Sequence, residues 1–207
     1  LLMFNVAFIY NTVFWGQVDA FFTFFGFAAL LSAIEQRVIL SIICLFIALN
    51  FKLQALIFIP VTGIILLPNF LSFNGIKRIL TGITISFVLQ VFILMPFILS
   101  GNLGQVWHVI SDSVGHYPYP TVGAFNVWSL LLPNVSIEGM YHLSDESRIW
   151  FLTYKQVGQL MFVTALFLAL FPLFIYFWKR YVQKKDDVFS VQNIFIITAL
   201  SSLSFYF

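Results

Sequence analysis

Charge is what this sequence has least of. Asp, Glu, Lys and Arg make up 9% of its 207 residues, against about a quarter in a soluble domain. So few charges cannot build a water-facing shell, which excludes an ordinary soluble enzyme or binding module. Cysteine is nearly absent as well. Cys44 stands alone inside an apolar run, so an intrachain disulfide is excluded and the redox compartment stays open. No charged segment accompanies the opening Leu1-Leu2-Met3, which is therefore not a signal peptide. His108, His116 and His142 lack a metal-ligand spacing, and no metal or other cofactor is expected. There is no glycine-rich phosphate loop of the Walker type. There is also no basic surface interleaved with aromatics, so nucleic acid is not an expected partner.

What fills the chain instead is apolar. Hydrophobic residues make up 61%, Phe alone occurs 27 times, and the mean hydropathy is +0.99. The fold class these numbers predict is all-α, a polytopic transmembrane helical bundle, read as one transmembrane domain over residues 1–207. Six segments, roughly 18–34, 37–51, 53–71, 79–100, 157–178 and 189–207, reach or approach the ~20 residues a spanning helix needs. The stretch 101–156 holds Gly, Pro, His, Asp, Glu and three Trp and is too polar to span. It is read as a loop region. The chain closes on Ser204-Phe205-Tyr206-Phe207 within an apolar run. Both ends read as cuts, and the expectation is a fragment of a longer membrane protein.

Basic residues orient the bundle. Arg37, Lys77, Arg78, Lys179, Arg180, Lys184 and Lys185 fall on one side of the predicted spans, and Lys52, Arg148 and Lys155 on the other. Seven against three makes the first side cytoplasmic. Trp178 beside Lys179-Arg180 reads as an interfacial anchor. Pro60, Pro68, Pro96 and Pro172 read as kinks or terminators, tolerated where neighbours satisfy the freed carbonyl.

Three polar constellations then fall on the outer side. Asn11, Trp15, Gln17 and Asp19 stand where the chain meets its first long apolar run, a depth at which polar groups are costly unless they face water, protein or a ligand. Asp19 also suits a helix N-cap and Trp15 a belt anchor. Lys52 and Gln54 can hold a phosphate oxygen by charge-assisted hydrogen bonds, or Lys52 simply snorkels at a tight turn. His116-Tyr117-Pro118-Tyr119-Pro120-Thr121, followed by Asn126 and Trp128, places aromatic faces and hydrogen-bonding groups where sugars stack, or forms an interfacial loop. Asp145-Glu146 and Asp186-Asp187 read most simply as solvated carboxylates.

The segment Phe4-Asn5-Val6-Ala7-Phe8-Ile9-Tyr10-Asn11-Thr12-Val13-Phe14-Trp15-Gly16-Gln17-Val18-Asp19-Ala20 resembles a stretch of the GT-C membrane glycosyltransferases. The group it is most similar to is the bacterial mannosyltransferase-like proteins related to the second mannosyltransferase of GPI-anchor synthesis. Phe51-Lys52-Leu53-Gln54 resembles that group's Lys-Pro-Gln element. Ala124-Phe125-Asn126-Val127-Trp128 resembles its Ala-x-Asn-x-Trp element, and Tyr154-Lys155-Gln156-Val157-Gly158 opens the next helix in a similar way. Val6 and Leu53 stand where that group has prolines. The resemblance implies a hexosyltransferase that moves a sugar, mannose in that group, from a polyprenyl-phosphate donor to a glycan, lipid or protein acceptor. It implies a bacterial cytoplasmic membrane with the site on the outer face, or an ER membrane with the site on the lumenal face. Lys52 with Gln54 would stabilise the leaving phosphate. Asn11, Trp15, Gln17 and Asp19 would bind sugar hydroxyls or orient Lys52, and His116, Tyr117, Asn126 and Trp128 would shape the sugar and acceptor side. The catalytic residue stays unassigned, because the resemblance places it upstream of these residues. Two other classes compete: a solute transporter or lipid flippase, and a scaffold whose polar residues are only caps and anchors.

Overall fold

The computed structural model describes residues 6, 10, 19–112, 119–120, 127–132, 143–179 and 191–204. Helices dominate, as expected of a chain that must satisfy backbone groups internally in lipid. In chain order they are α1 (Asp19–Ile34), α2 (Val38–Phe51), a 3-10 segment (Leu53–Phe58), α3 (Ile59–Leu66), a second 3-10 segment (Leu67–Leu71), α4 (Phe73–Leu99), α5 (Leu103–Asp112) and α6 (Val127–Leu131). A two-stranded hairpin follows, β1 (Arg148–Ile149) with β2 (Leu152–Thr153), then α7 (Tyr154–Phe177) and α8 (Val191–Ser204).

Among the described residues, three stretches are long and apolar enough to cross a membrane: Leu53–Leu71, Phe73–Leu99 and Tyr154–Phe177. Large side chains on α4 such as Phe87 and Phe92 are exposed. Runs of exposed aromatics on this scale mark a surface covered by something other than water. The other three expected spans coincide with α1, α2 and α8, which are shorter apolar helices of 16, 14 and 14 residues. The physical reason is where the chain breaks: a tight turn at 35–37 ends α1, and an extended Lys52 ends α2.

The residues form two compact units, one of residues 1–91 with 170–199 and one of residues 92–169 with 200–207. The first is built on α1 packed against α2. Its buried core includes Ala29, Leu30, Ala33, Val38, Ala48 and Phe58. Small residues let helix backbones approach in this way, and the buried Ser41 hydroxyl donates to the Ala29 carbonyl across the pair at 2.8 Å. Gly26 of α1 faces the buried Phe58 ring so closely that a Cβ would overlap it. Gly26→Leu is therefore expected to destabilise this unit by about 1–3 kcal/mol, the usual cost of overpacking. Unfolding in mixed micelles checks this, and an unshifted transition would mean that the ring moves aside freely.

Helix ends follow local chemistry. α1 closes in a Schellman motif: Arg37 N–H donates to Ser32 O and Gln36 N–H to Ala33 O, with Gln36 at φ +59°. The same pair of bonds closes α4, where Asn102 reaches Phe97 and Gly101, at φ +72°, reaches Ile98. Ser72 caps the start of α4, its hydroxyl accepting from Gly75 N–H at 3.0 Å. α7 opens with a reciprocal capping box. Gln156 N–H donates to the Thr153 hydroxyl at 3.2 Å, and Thr153 N–H to the Gln156 side-chain oxygen at 3.0 Å. These caps start α4 at 73 and α7 at 154, several residues before the apolar runs expected at 79 and 157. Pro60 and Pro68 sit in first turns, whereas α4 and α7 run through Pro96 and Pro172.

Candidate functional site

The first unit holds an ion pair where α1 begins and α2 ends. At 1.5 Å per residue, α1 and α2 are about 24 and 21 Å long. Joined by a tight turn, two antiparallel helices of near-equal length return the chain to the level at which it started. Asp19, first in α1, and Lys52, just past α2, therefore meet although 33 residues apart. The Lys52 ammonium donates to the Asp19 carboxylate at 2.5 Å, and both side chains keep less than a third of their surface, 30% and 29%. Lys52 is the extended residue between α2 and the 3-10 segment, at φ −159° and ψ 130°. That break turns its side chain away from the α2 spiral.

Aromatic rings surround the pair's neighbourhood. Phe51 stacks on Phe21 and Phe25, with centroids 5.3 and 5.9 Å apart. The Lys52 ammonium lies 5.8 Å from the Phe22 ring centre, within reach of a cation–π attraction. Such a wall lowers the local dielectric and strengthens any charge interaction made there. Gln54, grouped with Lys52 in the sequence, is exposed on the 3-10 segment. The structure thus joins Asp19 and Lys52 from two of the three constellations. Asn11, Trp15, Gln17, His116, Tyr117 and Asn126 lie outside the described residues.

Comparison with protein-family models, curated proteins and solved structures gave no match for this chain.

The second unit contains a groove of about 350 Å³ lined in part by Tyr119, Trp128, Asp145, Tyr154, Lys155 and Gln159. That volume is within the range of small-molecule sites. Trp128, the one expected site residue described here, is only 3% exposed. It packs edge-on against Tyr154, centroids 5.2 Å apart at 73°, so it acts as a wall of the groove. The groove's shape comes from the base of the hairpin. Tyr154 N–H donates to Ser147 O and Lys155 N–H to Asp145 O, at 3.1 and 2.9 Å. A carboxylate, an ammonium, an amide and aromatic rings in one groove can bind a polyhydroxylated molecule, by hydrogen bonds at its edge and stacking on its face.

Sequence reasoning passed over this role for Asp145, read as a solvated carboxylate, and for Gln159, whereas Tyr119 stood in the aromatic run read as a sugar-stacking or interfacial loop. The available signal was the capping box Thr153-x-x-Gln156. It starts α7 early enough to put Tyr154, Lys155 and Gln159 on its first turns. Among the described residues, no group of three or more His, Cys, Asp and Glu side chains is placed to hold a metal ion.

Proposed function

We propose that this chain is part of a GT-C-type membrane glycosyltransferase that moves a sugar from a polyprenyl-phosphate donor to an acceptor at the membrane surface. The observation that carries the reading is the Lys52–Asp19 pair at a helix break among aromatic rings. In the transfer, an acceptor hydroxyl oxygen bonds to the anomeric carbon while the bond from that carbon to the phosphate oxygen breaks. The proton leaves to a base not assigned among these residues, and the electron pair leaves with the lipid phosphate. A fixed cation aimed at that phosphate stabilises the charge as it develops. Lys52 supplies such a cation, and Asp19 orients it. The groove with Trp128, Tyr154 and Asp145 offers sugar-type contacts of its own. The proposal keeps six spans, with α1, α2 and α8 as the shorter ones, and puts Lys52 on the non-cytoplasmic side by the count of basic residues.

The rival is a solute transporter or lipid flippase, favoured by the same helix break, because interrupted helices carrying charge also form transport sites. One assay separates them. The protein is reconstituted in liposomes with radiolabelled polyprenyl-phosphate mannose and candidate acceptors. Labelled sugar leaving the polyprenyl phosphate, with release of the unglycosylated lipid phosphate, supports the transferase. Intact donor crossing the bilayer without bond cleavage overturns it in favour of the flippase.

A further inference from the structure

We propose that the tip of the β1–β2 hairpin, Trp150-Phe151, is a bilayer anchor that sits in the headgroup–acyl boundary where α7 begins. The inference does not depend on the glycosyltransferase reading. Two observations carry it. The first is exposure: Trp150 is 93% exposed and Phe151 75%, and their rings stack on each other. The second is backbone strain. The register Arg148↔Thr153 and Ile149↔Leu152 leaves a two-residue turn. Trp150, first in that turn, has φ +62°, while Phe151 is not in the positive-φ region. That is the pattern of a type II′ turn, whose first position favours glycine. A β-carbon there is strained, and a bare indole in water gains nothing. Among the described residues of the second unit, the ring contact of Trp150 is with its turn neighbour Phe151, itself exposed, so packing there does not offset the strain. Backbone strain of this kind persists where a side chain is used.

The partner follows from where the hairpin is attached. β2 runs directly into Tyr154, the first residue of a helix long enough to cross a membrane. The hydrogen bonds from Tyr154 to Ser147 and from Lys155 to Asp145 tie the base of the hairpin to that helix. At about 3.3 Å per strand residue, the tip lies within about 10 Å of the first helical turn. That is the depth of the interfacial zone, where Trp is enriched. Arg148, exposed at the start of β1, is a cation that can reach lipid phosphates from the same hairpin. Anchoring the tip also holds Asp145 and Lys155, on the rim of the groove, at a fixed level.

The test uses phosphatidylcholine nanodiscs, which expose both faces. Trypsin cleavage after Arg148 is followed in the otherwise unchanged protein and in the double variant Trp150→Gly, Phe151→Ser. Glycine suits the turn, so the variant removes the rings while keeping the hairpin. Cleavage at least about tenfold faster in the variant is expected, the factor that 1.4 kcal/mol of docking free energy gives. In a second measurement Trp15, Trp107, Trp128 and Trp178 are replaced by Phe. Trp150 emission should then be quenched by lipid brominated near the glycerol end of its chains and shielded from aqueous iodide. Equal cleavage rates in the two proteins overturn the anchor. So does a Trp150 open to iodide and untouched by brominated lipid.

Discussion

Lys52→Met is expected to lower sugar transfer by about 10²–10³-fold, the usual loss when a preorganised group that stabilises developing charge is removed. Methionine keeps much of the apolar stem while removing the ammonium. It thereby separates the charge of Lys52 from its packing against the Phe22 side of the pair. Lys52→Arg should retain part of the activity, because the charge stays while the guanidinium fork changes its geometry. Asp19 supplies the control. If Asp19 only orients Lys52, then Asp19→Asn lowers turnover in the presence of Lys52 and has little further effect in Lys52→Met. The double-variant cycle reports that coupling. The measurement is turnover of polyprenyl-phosphate sugar by the protein in liposomes. Unchanged turnover in Lys52→Met would reduce Lys52 to a snorkelling lysine and remove the main support for the transferase.

Trp128→Ala carries the largest expected effect on stability. The indole is almost wholly buried and meets Tyr154 edge-on. Truncating a buried Trp to Ala costs about 3–5 kcal/mol, and a ring pair of this geometry accounts for about 0.5–1.5 kcal/mol of such a loss. Trp128→Phe keeps a ring against Tyr154 and should cost much less. Unfolding in mixed micelles, followed by limited proteolysis near Arg148 and Lys155, checks both. Because the same indole walls the groove, saccharide affinity of the second unit should fall with Trp128→Ala even under conditions where the protein stays folded. A transition within error of the unsubstituted protein would mean that Trp128 is not a packing residue.

The chain itself determined that it is helical and built for an apolar surrounding. That reading needs only composition and run length, because lipid leaves the backbone few ways to satisfy its own polar groups. It also determined where several helices stop and start. Ser72 and the Thr153–Gln156 box are local signals, although a search for apolar runs passes over them in favour of the lipid-facing residues beyond. Asp19 and Lys52 were visible as costly polar residues near helix ends, each with a plain alternative as cap or snorkel. Tertiary structure alone decided that they meet, because the meeting depends on two helix lengths and one turn closing a hairpin. It alone decided that Trp128 is a buried wall while Trp150 stands bare at a strained turn. Both are tryptophans in one polar segment, and residue type cannot separate them. Burial depends on which neighbours the backbone delivers: Tyr154 is delivered to Trp128, whereas Trp150 meets its exposed turn neighbour Phe151.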